Sequence, residues 1–263
     1  MEVESAAVTH VGRVRAVNED AFLALPELVL VADGMGGHAC GDVASALTVQ
    51  TFQSLAGREP LSTTSIGDAL NQANAAILQE AALHPERAGL GTTVTGVAVV
   101  EQGGSPHWLV FNVGDSRVYR LDGAGVTQLT VDHSEVAELV AAGQIAPEQA
   151  RVHPLRHVVT RSLGTTPPPL MDTWLIPVVD GDVFLICSDG LTNELDDVQI
   201  GRLVSNASDN RTAAESLVEA AVAAGGRDNI TVVLVRARFG PHETRTEAAV
   251  ATIPRAQVNG AAW

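Results

Sequence analysis

Residues 28–38 read Leu28-Val29-Leu30-Val31-Ala32-Asp33-Gly34-Met35-Gly36-Gly37-His38. The first five are apolar and end in Asp-Gly, which predicts a short buried strand over 28–32 closing in an acidic turn. Working outward, runs of the same kind predict strands over 6–11, 93–100, 108–113, 118–121, 171–176, 183–187 and 230–235. Between 28–32 and 93–100, the segments 42–55 and 66–82 carry Ala, Leu and Val at helical spacing, and 196–204 and 212–224 repeat that pattern. Helices therefore come in two pairs, with strands grouped before, between and after them, so regular βαβα winding is not expected. The layer rule then predicts an α+β fold, a four-layer αββα sandwich of two antiparallel β-sheets flanked by helix pairs.

The chain has 263 residues and a formal net charge of −15, from 16 basic and 31 acidic side chains. All sixteen cations are arginine. Without lysine there is no Walker-A loop, no Schiff base and no pyridoxal site, and the acidic balance makes nucleic acid an unexpected partner. The net charge also predicts a preference for substrates with basic flanks. Only Cys40 and Cys187 could supply thiols; they support neither a disulfide framework nor a zinc cluster, and a reducing cytoplasm is expected. No run of apolar residues reaches the ~18–20 that span a bilayer, so no membrane association is expected. The organisation predicted is one catalytic domain over 1–238, with a loop-like surface insertion at about 133–169, and a poorly ordered tail over 239–263.

Acidic residues stand where strands end. Asp33 and Asp189 each close an apolar run before glycine, Asp115 follows the run 108–114, and Asp228 directly precedes the run 230–235. Asp-Gly after a strand is first of all a turn signal. Four such acids on rigid strand ends, with a turn richer in glycine than a hairpin requires, point further. If they converge, their mutual repulsion must be offset, and no lysine is present to do it. An all-oxygen donor set selects hard divalent cations, Mn²⁺ or Mg²⁺, over zinc. Two such ions sharing one aspartate would hold a bridging water as hydroxide near neutral pH, a centre suited to phosphate esters. Arg15, four residues before Glu19-Asp20, is the candidate for binding the phosphate, since a guanidinium offers parallel donors to two phosphate oxygens.

Seven motifs now stand in order: 12–20 (Gly-Arg-Val-Arg-Ala-Val-Asn-Glu-Asp), 31–38 (Val-Ala-Asp-Gly-Met-Gly-Gly-His), Gly91-Thr92-Thr93, Gly114-Asp115-Ser116-Arg117, 160–164 (Thr-Arg-Ser-Leu-Gly), 187–191 (Cys-Ser-Asp-Gly-Leu) and Arg227-Asp228-Asn229. Together they resemble the metal-dependent Ser/Thr protein phosphatases of the protein phosphatase 2C family in their compact bacterial form, over roughly 5–238. The resemblance implies that Asp33 bridges two metals, that Asp189 and Asp228 complete the first, and that Gly34 lends its carbonyl to the second. Glu19 would serve the second metal directly or through its waters, with Asp20 and Asn229 in support. Asp115, with Asp189, would hold a third, weaker ion. Arg15 falls on the family's phosphate-binding arginine, and the segment around 160–164 corresponds to the flap bordering the cleft.

One departure is Met35. Eukaryotic members carry histidine there as proposed general acid, whereas the nearest histidine here, His38, lies three positions later. A metal-bound water is then an alternative donor to the leaving oxygen. The expected activity is direct attack on phosphoserine or phosphothreonine, without a phosphoenzyme, by a monomer whose partners are phosphorylated proteins and the Ser/Thr kinases it opposes. Two alternatives are a phosphoprotein-binding regulator of the same fold and a small-molecule phosphoesterase. Neither cysteine nor Ser188 suits a nucleophile, and isolated loop histidines such as His133, His153 and His157 are expected to be solvated or capping groups.

Overall fold

A computed structural model describes residues 1–36, 40–57, 60–122 and 125–239. In chain order it begins with β1 (Glu2–His10), β2 (Asp20–Ala24) and β3 (Leu28–Met35), then α1 (Gly41–Gln53) and α2 (Thr63–Leu83). After a short turn of 3-10 helix come β4 (Gly91–Thr92), β5 (Val94–Gln102), β6 (Ser105–Val113), β7 (Arg117–Asp122) and β8 (Gly125–Gln128). The remainder is α3 (Glu135–Ala141), α4 (Pro147–Ala150), β9 (Asp172–Pro177), β10 (Val183–Cys187), α5 (Asp189–Thr192), α6 (Asp197–Asn206), α7 (Asn210–Ala224) and β11 (Ile230–Arg238). The expected tail, beyond Phe239, and the positions of Gly37 and His38 lie outside the described residues.

The strands form two antiparallel sheets, one ordered β1-β11-β10-β7-β8 and the other β2-β3-β5-β6-β9, with β4 paired to β3. Every pairing between these strands is antiparallel, as the layer argument predicted. Because the sheets pack on each other and on helices, their central strands are buried on both faces and read as continuous apolar runs. The period-2 alternation of β3 sorts that run. Val29 and Val31 join the core between the sheets, where Trp108 meets Phe184 with ring centroids 5.1 Å apart. Leu28, Leu30 and Ala32 face the other way, into the core shared with α1 and α2. On the far side, Leu185, Cys187, Val232 and Leu234 pack beneath α6 and α7. Three apolar cores thus separate four layers.

Helix ends are set by local chemistry. The Ser62 hydroxyl accepts from the Ser65 N–H at 3.1 Å, and the Ser65 hydroxyl accepts from the Ser62 N–H, a reciprocal capping pair that starts α2. Asp196 and Gln199 repeat it at α6. The 133–169 segment differs from the irregular insertion expected, because it folds two short helices, α3 and α4. Its two ends are zipped together at its base by a bridge from Ser134 to Val159 and by the Thr160 N–H donating to the His133 carbonyl at 2.8 Å. Among the described residues, no helix is long and apolar enough to cross a membrane.

Candidate active site

One edge of the sandwich gathers the predicted acids. Asp33 lies near the end of β3, and its main chain is clamped from both sides. Its N–H donates to the Thr93 hydroxyl at 3.0 Å, while its carbonyl accepts from the Thr93 N–H and the Thr92 hydroxyl, each at 2.9 Å. Asp20 on β2 pairs directly opposite Asp33. One Asp20 oxygen accepts the hydroxyls of Ser188 (2.8 Å) and Thr231 (2.7 Å), both from elements of the other sheet. Its second oxygen is buried with no protein donor.

The other sheet contributes Asp189, first residue of α5 after β10, and Asp228, two residues before β11. The Asn193 amide donates to Asp189 at 2.9 Å, and the Asp228 carboxylate accepts from Arg15 Nη2 at 2.9 Å. Asp115 stands in the turn joining the sheets, buried, after a Gly114 held at φ +118 against Thr93. Asn229 ties the Arg15 loop down. Its amide nitrogen donates to the carbonyls of Val11 and Val17, and its amide oxygen accepts from the Glu19 N–H at 2.8 Å. Glu19 in turn accepts from the Gly41 N–H at 3.0 Å. Arg15, Glu19, Asp33, Gly34, Asp115, Asp189 and Asp228 therefore all line one cleft of about 1060 Å³, while Asp20 and Asn229 are not part of its lining.

Gly34 is demanded by proximity rather than by turn conformation. A Cβ there would lie 2.2 Å from the Gly41 carbonyl oxygen and 2.4 Å from that of Glu19. Gly34→Ala is expected to cost about 3 kcal/mol or more, because both obstacles are backbone and overpacking has nowhere to relax. A shift of the urea midpoint measures this; an unchanged midpoint would show that the α1 N-terminus moves freely away from β3.

The acids act on one another. Burial, then Asp20, Asp189, Asp115 and Asp228, hold the Asp33 carboxyl well above the ordinary carboxylate range. Burial pushes Asp20 up to about 7 against the pull of its two hydroxyl donors. Asp115 is pushed up to about 8 by burial and by Asp189 and Asp132, and Asp189 is raised by burial and by Asp228. Carboxyls in this state seek a cation. Yet among the described residues no three His, Cys, Asp or Glu side chains are grouped as a ready-made ion cage. In this arrangement Asp228 accepts from Arg15, Asp189 from Asn193 and Glu19 from the Gly41 N–H. The donors fit hard divalent cations: they are all oxygen, they repel one another, and Asp20 keeps a buried acceptor that no protein hydrogen reaches.

Several contributors escaped the sequence reading. Thr93 and Ser188 stand in the quoted motifs with no role for their hydroxyls, and Thr231 looks like an ordinary strand residue; the three hydroxyls hold Asp33 and Asp20. His133, expected to be solvated or capping, is buried. Its Nδ1 accepts from the Gly114 N–H at 3.0 Å, and its Nε2 lies 3.0 Å from Asp172. The adjacent Asp132 and His133 were the available signal. Cys187 is fully buried, and the Ser188 hydroxyl is committed to Asp20 and to the Thr231 N–H, so neither is a nucleophile.

Comparison with known proteins agrees with this fold. The model of the family described as protein phosphatase 2C matches residues 10–221. The serine/threonine phosphatase stp of Listeria monocytogenes is 34% identical over 236 residues, covering 85% of this chain and 92% of that protein. The serine/threonine protein phosphatase PstP of Mycobacterium tuberculosis is 37% identical over 226 residues, covering 85% of this chain and 43% of that longer one. The crystal structure of Mycobacterium tuberculosis PstP/Ppp aligns with a TM-score of 0.84 at 34% identity, over 91% of this chain and 100% of that one. The PstP catalytic domain in complex with two manganese ions aligns at 0.82 and 33%, over 90% and 99%. A fold and site of this kind define a metal-dependent protein phosphatase. The chain belongs to the protein phosphatase 2C family.

Proposed function

We propose that this enzyme removes phosphate from phosphoserine and phosphothreonine in proteins, reversing the action of Ser/Thr kinases, with Mn²⁺ or Mg²⁺ as cofactor. The observation that carries the reading is the delivery of Asp33, Asp115, Asp189 and Asp228 to one cleft beside Arg15 by two separate sheets. Asp33, Asp189 and Asp228 would hold one cation. Asp33, Glu19 and the Gly34 carbonyl would hold a second, and Asp115 with Asp189 a weaker third. When bound, such ions neutralise the phosphoryl charge and acidify water for attack on phosphorus.

The chain's own groups supply the rest. Arg15 is half exposed and spends one Nη donor on Asp228, leaving the remaining guanidinium donors for phosphoryl oxygens. Asn229 fixes the loop that carries it, and the hydroxyls of Thr93, Ser188 and Thr231 keep Asp33 and Asp20 from turning away. With both thiols and Ser188 unsuited to attack, displacement is direct and no phosphoenzyme forms.

The test is hydrolysis of a phosphothreonine peptide with and without Mn²⁺, in wild type and Arg15→Ala. Turnover is expected only with metal, and the variant is expected to lose about 100-fold in kcat/KM, the scale of losing one donor to developing charge. Activity that survives chelation, or tight peptide binding without any hydrolysis, would overturn the reading.

A further inference from the structure

The charges around the cleft do not all cancel. Asp132 is held by Arg117 in a two-pronged pair, Glu194 is held by Arg227, and Arg15 meets Asp228. Away from the cleft, Arg87, Arg120 and Arg211 find Glu80, Asp182 and Glu215. Arg151 and Arg156 do not follow this pattern. Both line the cleft from the 133–169 insertion, and among the described residues neither has a carboxylate at ion-pair distance. Their hydrogen bonds go only to main-chain carbonyls, Arg151 to Thr192 and Arg156 to His153, each at 3.4 Å. Arg13, Arg202 and Arg236 also lack a carboxylate partner among the described residues, but they stand away from the cleft; of the arginines that line it, Arg15, Arg117 and Arg227 each hold an acid, and Arg151 and Arg156 do not.

Their place is informative too. Thr192 ends α5, the short helix that begins with Asp189, so the Arg151 guanidinium is tied to the C-terminal end of the element that carries that acid. His157, exposed, lines the same wall. These residues line the same cleft as Arg15 and the acids, so the residues beside a phosphate held there have this wall within the same cavity.

We propose that Arg151 and Arg156 form an anion-binding subsite that selects phosphopeptides carrying acidic or additional phosphorylated residues beside the phosphate to be removed. This rests on the phosphopeptide reading above and specifies its substrate class. Guanidinium forks match carboxylate and phosphate oxygens, and at contact distance such pairing outweighs the field of the distant surface acids, which salt screens within about 10 Å. The local preference is therefore opposite to the basic-flank preference that net charge alone predicts.

Phosphothreonine peptides identical except for Glu, Ala or Arg flanks, together with a doubly phosphorylated one, provide the test. In wild type with Mn²⁺ the Glu-flanked and doubly phosphorylated peptides are expected to show about tenfold higher kcat/KM than the Ala-flanked one, carried by KM and declining with added salt. In the Arg151→Gln/Arg156→Gln variant that ratio falls to twofold or less, while Arg151→Lys/Arg156→Lys keeps most of it. Anisotropy titration of the same labelled peptides reads the subsite without turnover. Tighter binding of acidic flanks that depends on these arginines supports the subsite even if nothing is hydrolysed, an outcome that would instead sink the phosphatase reading. A best substrate with Arg flanks, or an acidic preference that survives in the double Gln variant, overturns the proposal.

Discussion

Asp33→Asn is expected to lower kcat at least about 1,000-fold while the protein stays folded. The amide keeps the shape of the carboxylate, and the clamp on residue 33 uses only its main chain, held by Thr92 and Thr93. What disappears is one negative charge at the centre of the cluster, the charge that would be shared between two cations. Loss of a single donor to developing charge costs 10²–10³-fold in other enzymes, and loss of a shared ligand should cost no less. The same substitution should raise the melting temperature of the metal-free protein above pH 7. Burial and four neighbouring acids disfavour an ionised Asp33, and Asn is permanently neutral. Retained turnover, or a metal-free melting temperature lowered by the change, would remove Asp33 from the centre of the site.

Stripping the metal should make stability fall as pH rises, the reverse of what ion-paired carboxylates produce. The sign follows from the raised values. Asp20 at about 7 and Asp115 at about 8 lie above the ordinary carboxylate value near 4. Their contribution to folding is full below about pH 4 and is lost as pH rises through 7 and 8, because ionisation then has to be forced on buried groups. Asp172 and Glu194 are shifted the other way, by His133 with Arg161 and by Arg227 respectively, so their contribution is lost only on acidification below about pH 4. Between pH 6 and 8 the melting temperature in EDTA should therefore drop, Mn²⁺ should restore it more at pH 8 than at pH 6, and metal uptake should release protons. A melting temperature in EDTA that climbs from pH 6 to 8 would show that the acids do not crowd one another.

Much of this was readable from the chain. The strand runs closing in Asp33, Asp189 and Asp115 were visible because strands buried on both faces are continuous in sequence, and an acid that ends such a run stands out. β2 was not visible. Asp20-Ala21-Phe22-Leu23-Ala24 is short and mixed in character, and it becomes a strand by pairing with β3. That register, which places Asp20 against Asp33, is a tertiary fact with no local signature. β8 is a four-residue edge strand, and α5 is a single turn, too short for a helical period to register. The insertion's helices escaped for the same reason. The supporting hydroxyls were hidden because threonine is common in strands for its β-branched shape: Thr231 read as an ordinary strand residue, and Thr93, though part of a quoted motif, had no role assigned to its hydroxyl. Arg15, by contrast, was found by its chemistry, and the structure sets it against Asp228.

The Asp20 carboxylate, rooted in one sheet and gripped by two hydroxyls of elements in the other, acts as a rivet through the sandwich. Glu19 and Asp33 ride on one side of that rivet, Asp189 and Asp228 on the other. A sliding displacement between the layers of a fraction of an ångström leaves every ladder of backbone bonds intact but separates the acids. Catalytic competence is thus a finer gauge of interlayer shear than secondary structure is, and warming should silence the enzyme before it melts it.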